Sequence, residues 1–200
     1  MGWNFYNASG ELQINDGGVQ AASAVFTGNV DLGSNLLVGN AGSTGIAISS
    51  AGEVTMAAQP GFSVESASTQ TNVTGDGTGG TLVYGTEITD QNADFDGVST
   101  FTAPITGNYL FTLKVAYTGL LATHTLCECK FVGSNRTSNN TFIDPGGSRD
   151  SNNSTQIVHT FIMDMDADDT CTIQVRTSNG TKVVDFQTGG RNAWQGWLLG

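Results

Sequence analysis

The chain has 200 residues and a formal net charge of −11, with 27 glycines and only 12% charged residues. Its seven Lys and Arg residues are too few to replace the counterions of a phosphate backbone, which excludes a nucleic-acid partner. No apolar run is long enough to span a membrane, and residues 1–6 lack the basic and apolar regions of a signal peptide. This glycine-rich, weakly charged composition predicts an all-β protein of short strands and tight turns.

Residues 1–59 are the first predicted domain, an attachment and β-repeat shaft segment. The fragment ASGELQI at residues 8–14 recurs as SAGEVTM at residues 50–56, and each copy has the pattern of a turn followed by a short alternating strand. Residues 24–32 and 36–38 add short apolar stretches between glycine-rich turns. Because a thin ribbon of such strands exposes its apolar face and its edges, we expect it to associate with copies of itself. The alternative is a flexible Gly/Ser-rich leader.

Residues 60–200 are the second predicted domain, and their pattern is that of a compact sandwich. Alternating segments bounded by turn residues predict eight strands, at residues 61–65, 80–87, 100–103, 107–117, 125–132, 156–164, 170–177 and 192–199. Eight antiparallel strands suit a jelly roll. The sequence therefore predicts a jelly-roll head that follows a shaft.

Residues 101–113 predict a strand, a tight turn and a second strand. Pro104 and Gly107 enclose the turn, since proline fixes φ and glycine is free to take a positive φ. Tyr109, Phe111 and Leu113 then occupy alternate positions, which places these three side chains on one face, as a half-buried strand requires.

This run, FTAPITGNYLF at residues 101–111, resembles the strand–turn–strand signature of C1q/TNF-like head domains. Residues 60–64 look like the first strand of that family and residues 196–199 like its closing strand, so the resemblance covers residues 60–200. It implies a homotrimer and leaves open a calcium ion at the trimer axis, with no residue assigned and no other cofactor expected. Aromatic and apolar side chains would then pack in each subunit's core or between subunits: Phe62, Phe101, Tyr109, Phe111, Trp197 and Leu199.

Residues 133–155 are predicted to form one long, polar loop, and binding residues concentrate on such loops when a rigid scaffold holds them. Arg136 and Arg149 are its only cations in an acidic protein. The receptor-binding residues predicted from this loop are Arg136, Asn139, Asn140, Phe142, Arg149 and Asn152.

The thiols and imidazoles do not predict an enzyme. Cys127 and Cys129 are two apart on one predicted strand, so they point to the same face and are badly placed to bond each other. We expect them and Cys171 to be reduced and buried; a bond from Cys171 to one of the other two is the alternative. His124 and His159 belong to no Ser-His-Asp or Cys-His arrangement, and we expect structural roles for both.

Residues 164–169 (DMDADD) begin like a calcium-binding loop but fail its rules. The sixth position is Asp169 instead of glycine, and the twelfth is Val175 instead of glutamate. An acidic hairpin turn is the better interpretation.

Residues 2–12 (GWNFYNASGEL) are similar in texture to fibre and tail-tip proteins of tailed bacteriophages. The resemblance implies a virion fibre or spike that folds in the host cytoplasm and is released by lysis, so that reduced cysteines and an extracellular role are compatible. Its trimeric head would recognise a glycan or protein of the host surface, and its N-terminal segment would bind other virion proteins. The alternative is a purely structural virion protein: a head fibre, a capsid decoration or a tail adaptor.

Overall fold

The structure is a computed structural model that describes residues 37–38, 44–138 and 140–199. Residues 2–12, the first repeat copy at 8–14 and the apolar stretch at 24–32 lie outside the described residues. The predicted shaft and the predicted domain boundary at residues 59 and 60 therefore stay predictions.

Short strands account for most of the described chain. In chain order the elements are β1 (Leu37–Val38), β2 (Thr44–Ile48), β3 (Val54–Thr55), β4 (Gly61–Ser66), β5 (Gln70–Thr74), β6 (Gly79–Thr81), β7 (Thr86–Asp90), β8 (Phe101–Thr102), β9 (Gly107–Thr118), β10 (Leu126–Gly133), β11 (Thr141–Ile143), α1 (Pro145–Ser148), β12 (Thr155–Met165), β13 (Thr170–Ser178), β14 (Val184–Phe186) and β15 (Gly189–Leu198). All strand pairs within the described ranges are antiparallel.

Strands β1 to β3 form a small sheet of their own, in that order. The second copy of the repeat, at residues 50–56, has the expected turn and strand. Gly52 takes φ +89°, and the Glu53 carbonyl accepts the Ser49 amide before β3 begins. Positive φ is a conformation that glycine adopts without steric cost.

Two sheets of the described chain form a sandwich. The larger sheet has seven strands, in the order β5-β14-β9-β15-β4-β7, with β12 paired along the free side of β9. The smaller sheet has five strands, in the order β11-β10-β13-β6, with β8 also paired to β13. The predicted all-β jelly-roll architecture is confirmed.

The core lies between the two sheets and is mainly aromatic. Alternate residues of β9 from Tyr109 to Tyr117 are fully buried, as the alternation in the sequence predicts. Trp194 of β15 lies at the centre, with its ring centroid 4.9 Å from that of Phe62 in a T-shaped contact. Aromatic pairs favour such edge-to-face geometry over direct face-to-face stacking.

The strand registers define two ends of the sandwich. At the proximal end the chain enters from Pro60 into β4, and β15 also finishes there, with the Leu198 amide bonded to the Pro60 carbonyl. Strand β9 starts at this end and finishes at the opposite, distal end. The connections at residues 91–100, 103–106, 134–140 and 166–169 are proximal, whereas those at 75–78, 119–125, 144–154 and 179–183 are distal.

Three details differ from the expected strands. Predicted strand 80–87 is divided between β6 and β7, because the segment between them crosses to the other sheet with Leu82 and Tyr84 buried. Strands β5, β11 and β14 were not predicted, since β5 is mostly polar and β11 and β14 have only three residues each, too few to show alternation. Gly107 opens β9 without a positive φ, so the turn at residues 103–106 does not need glycine there.

The expectation for the thiols is confirmed. Cys127, Cys129 and Cys171 are free and fully buried in the core. Burial raises the pKa of Cys127 to about 11 and that of Cys129 to about 12, and it also raises the pKa of Cys171, because the thiolate loses its hydration.

Both histidines are structural, as expected. His124 is buried, with Nδ1 accepting the Leu121 amide at 3.0 Å and Nε2 placed 3.2 Å from the Thr181 carbonyl. His159 stacks near Phe131 with centroids 5.1 Å apart, and burial lowers its pKa.

Candidate functional site

The expectation of one long loop at residues 133–155 is wrong. Gly133 and Arg136 close a tight turn through a 2.6 Å hydrogen bond, and Thr137 then bridges back to Val132. The returning chain becomes β11, which pairs with β10, and continues into the helical turn α1. The segment is a β-hairpin followed by a turn, and its Asn- and Ser-rich composition hides the pairing.

The hairpin separates the predicted receptor-binding residues instead of gathering them. Arg136 is exposed in the proximal turn, whereas Arg149 and Asn152 lie in the distal connection. Arg149 also has a structural contact, because its Nη1 donates to the Leu120 carbonyl at 3.1 Å. Asn139 lies outside the described residues.

The two remaining predicted residues, Asn140 and Phe142, lie on the outer face of the five-stranded sheet. Asn140 lines a concavity of about 300 Å³, which we call the polar basin. Phe142 stands beside the basin, because it is paired with the lining residue Glu128 in the register of β10 and β11. The basin is lined by Gly77, Gly79, Glu128, Lys130, Asn140, Gln174 and Arg176.

Glu128 is the central side chain of the polar basin, and it is only 7% exposed. The Arg176 guanidinium holds it: Nη2 donates to Oε2 at 3.2 Å, and Nε lies 2.8 Å from Oε1 at an angle poor for a hydrogen bond. Asn140 Nδ2 also donates to Oε2, at 3.3 Å. A buried carboxylate requires such compensation, and these contacts fix its orientation.

Sequence reasoning missed Glu128 and Arg176 as site residues. The alternation of LCECKF does place Glu128 on the face opposite Cys127 and Cys129. Its burial and its pairing with Arg176 depend on the register between β10 and β13, which the sequence does not show.

A second concavity, of about 640 Å³, lies at the distal end on the outer face of the seven-stranded sheet. We call it the distal cavity. Its two cations are Lys114 and Arg191, and its carboxylate is Asp150. The complete lining is Lys114, Ala116, Ser148, Asp150, Ser154, Thr155, Gln156 and Arg191.

The outer face of the seven-stranded sheet carries apolar side chains that a single chain leaves uncovered. Ile162, Leu110 and Trp197 stand side by side on β12, β9 and β15. Ile162 is 54% exposed and Trp197 is 39% exposed. We call this surface the apolar face; its members are Leu110, Val158, Ile162, Trp197 and Leu199.

The residues predicted for core or trimer packing fall into two groups. Four are buried inside the single chain: Phe62, Phe101, Tyr109 and Phe111. Trp197 and Leu199 are exposed on the apolar face. The indole of Trp197 covers the backbone of Gly61, where a Cβ would lie 2.8 Å from Trp197 Cδ1.

The acidic segment is a hairpin turn, as expected. Strand β12 ends at Met165, β13 begins at Thr170, and Asp168 takes φ +71° between them. Asp169 accepts hydrogen bonds from Ser134, Asn135 and the turn's own backbone, and these bonds lower its pKa. In the part of the chain that the structure describes, no group of three or more His, Cys, Asp or Glu side chains is arranged to hold a metal ion.

The comparisons with known proteins bear on the fold alone. No protein-family profile and no curated protein matches the chain. Among solved structures, the globular domain of zebrafish complement 1qA protein matches at 16% identity with a TM-score of 0.50, over 71% of this chain and 98% of that one. Murine APRIL matches at 8% identity with a TM-score of 0.47, over 70% of this chain and 98% of that one. The sandwich has the jelly-roll fold of that complement domain.

No helix in the described ranges is both long enough and apolar enough to cross a membrane.

Proposed function

We propose that the chain is a homotrimeric, non-enzymatic recognition head. The apolar face carries the proposal. Outer faces of antiparallel sheets are polar when water covers them, yet Ile162, Leu110 and Trp197 form a continuous apolar row on this one. Such a row indicates that another protein surface covers it.

A further copy of the same chain fits this face best. The next row of paired residues across β12, β9, β15 and β4 is uncharged: Thr160, Thr112, Gln195 and Ser63. Toward the distal end, Lys114 and Glu65 flank Ala193, and neither forms an ion pair within the described chain. Because an uncharged row separates the apolar row from these charges, a neighbouring copy around a threefold axis can cover the apolar row without burying a charge, and Lys114 and Glu65 stay at its distal edge.

The recognition surface of the proposed trimer lies at the distal end. The distal cavity lies at the end of the sheet opposite to that at which the chain enters from Pro60, and the uncharged row separates it from the apolar row that the trimer would cover. Three copies would present three cavities, and a weak contact in each one gains avidity when a partner engages several together.

The finer proposal places this head on a virion fibre that folds in the host cytoplasm, leaves by lysis and recognises the host surface. It rests on the resemblance of residues 2–12 to phage fibre proteins. A purely structural role is the alternative. Imaging particles with a label on this chain tests the location, and a distal-cavity variant such as Arg191→Ser that adsorbs to the host like the parent would favour the structural role.

Sedimentation of the full chain tests the trimer. We expect a mass of three chains at micromolar protein, and a mass of one chain for Ile162→Asn, because the substitution puts an amide into the apolar row. The matched control is Phe142→Asn on the other sheet, which should remain trimeric although Phe142 is more exposed than Ile162. A parent protein that sediments as one chain would overturn the proposal.

A further inference from the structure

We propose that the polar basin binds a neutral saccharide unit, with the exposed ring of Phe142 as its stacking surface and the Glu128–Arg176 pair as its hydrogen-bonding centre. The inference rests on the proposed recognition role but not on the trimer, because every residue involved belongs to one chain. The polar basin and the distal cavity share no lining residue.

The strand registers bring the key side chains onto one face. Glu128 of β10 is directly opposite Phe142 of β11 on one side and Arg176 of β13 on the other. Cys127 and Cys129 point into the core, so Glu128 and its two partners point outward. With strands about 4.8 Å apart, Phe142 and Arg176 stand about 10 Å from each other across Glu128.

Phe142 supplies an exposed aromatic surface beside the polar side chains that line the basin. Its side chain is 66% exposed, although burying an aromatic ring is strongly favourable. The C–H groups on one face of a pyranose ring carry a small positive charge, and the negative face of an aromatic ring attracts them. An exposed phenyl ring beside hydrogen-bonding groups therefore suits a sugar better than a purely apolar ligand.

Hydrogen-bonding groups of both kinds converge beside the ring. The Glu128 carboxylate accepts, Lys130 and the outer nitrogens of Arg176 donate, and Gln174 does both. The contacts from Arg176 and Asn140 hold the carboxylate in place before any ligand arrives, and Lys130 forms no ion pair within the described chain. Saccharide hydroxyls are each both donor and acceptor, which matches this mixed set.

Glycine leaves room for the ligand on the far side of the basin. Gly79 of β6 is directly opposite Arg176, and a Cβ there would lie 3.4 Å from Cδ of Gln174. The resulting space of about 300 Å³ is at the small end of the range for ligand pockets, which fits one or two sugar rings.

Charge favours a neutral sugar over an acidic one. Inside the basin Arg176 offsets Glu128, which leaves Lys130 as the surplus cation. Asp76 precedes the lining residue Gly77 in the sequence, Asp144 follows Phe142 by two residues, and the whole chain carries −11. The surrounding field therefore repels a carboxylate or sulfate on the ligand.

Saturation-transfer NMR on the full chain tests the inference with four neutral probes: the methyl glycosides of mannose, galactose, glucose and N-acetylglucosamine. We expect at least one to bind with a dissociation constant of about 1–10 mM, as a single ring in a shallow site allows. Transfer should be strongest to protons on one face of the sugar ring. Phe142→Ala should weaken binding about tenfold or more, whereas Phe142→Tyr should keep it within about threefold.

Two controls make the result specific. Ile88→Ala removes an equally exposed apolar side chain on β7 of the other sheet and should leave binding unchanged. Glu128→Gln should also weaken glycoside binding. The double variant that carries both Phe142→Ala and Ile88→Ala should bind as weakly as Phe142→Ala alone, because the two residues are on different sheets and do not interact. Binding of no neutral glycoside, or equal binding by parent and Phe142→Ala, would overturn the inference, as would tighter binding of methyl glucuronide than of methyl glucoside.

The oligomeric state distinguishes this failure from failure of the proposed function. If the parent sediments as three chains and binds no glycoside, only the saccharide site is lost. If it sediments as one chain and still binds through Phe142, the trimer is lost and the saccharide site remains.

Discussion

The two sheets of the sandwich share one core but have opposite outer faces. The outer face of the seven-stranded sheet presents Ile162, Leu110 and Trp197 in a row, whereas the corresponding face of the five-stranded sheet presents Phe142, Glu128 and Arg176. Both sets stand on strands that alternate inward and outward in the same way. The difference shows that strand alternation determines the core, while the outward positions are free to serve different partners.

The two faces also differ in how their exposed aromatic ring is held. Trp197 lies over Gly61 and is partly covered by its own sheet, whereas Phe142 stands on the short edge strand β11 and is largely uncovered. The first arrangement suits a large, flat protein contact, and the second suits a small ligand that brings its own polar groups.

The largest expected effect comes from comparing two tryptophans of β15: Trp194 in the shared core and Trp197 on the apolar face. Trp194→Ala should lower the free energy of unfolding by about 3–5 kcal/mol, because it leaves a cavity beneath Phe62 and Phe95. Trp197→Ala, three residues along β15, should cost about 1–2 kcal/mol in the monomeric state, because the ring is partly exposed, and should also weaken association. Urea unfolding at several protein concentrations measures both, and equal losses would mean that the two tryptophans are not divided between core and interface.

The next effect depends on pH and concerns the inward side of β10. Burial raises the pKa of Cys127 from 9.0 to about 11, so the unfolded thiol ionises first as pH rises. The contribution of the neutral Cys127 thiol to the free energy of unfolding is complete below pH 9. Between pH 9 and about 11 this contribution decreases by up to about 1.4 kcal/mol per pH unit. Cys127→Ala should therefore flatten the decline of the unfolding free energy in that window.

The thiol prediction has an internal check. Native protein should react slowly with a thiol reagent at pH 8, and denatured protein should react at all three cysteines. A variant Cys127→Ala with the same pH dependence as the parent would show that this thiol is not buried as a neutral group.

Much of the sandwich follows from the sequence because long strands carry their own signal. Strands β9, β12 and β13 alternate over nine or more residues, and the predicted ranges match them closely. Strand β11 has only three residues and follows a polar segment, so composition alone favours a loop. Its partner β10 supplies the hydrogen bonds that make it a strand, and that information is not local.

The candidate sites were harder to predict because they depend on register and on the direction of the chain. Arg136 and Arg149 are close in sequence, but β11 carries the chain from the proximal to the distal end between them. Conversely, Glu128 and Arg176 are 48 residues apart and meet because β10 and β13 pair. Of the six residues predicted from the polar segment, only Asn140 and Phe142 therefore lie at or beside the proposed polar basin.

The smallest expected effect is also the one that best separates binding from stability. Phe142→Ala should change the free energy of unfolding by no more than about 0.5 kcal/mol, because the ring is 66% exposed and gives up little buried area. Phe131→Ala on neighbouring β10 should cost about 3–5 kcal/mol, because its ring is fully buried and stacks 5.6 Å from that of Phe111. Urea unfolding of the two variants under identical conditions measures this difference. A large loss for Phe142→Ala would mean that the ring packs against its own chain, and the polar basin would then lack its stacking surface. A small loss, together with weakened glycoside binding, would mean that this exposed ring contributes to recognition and scarcely to folding.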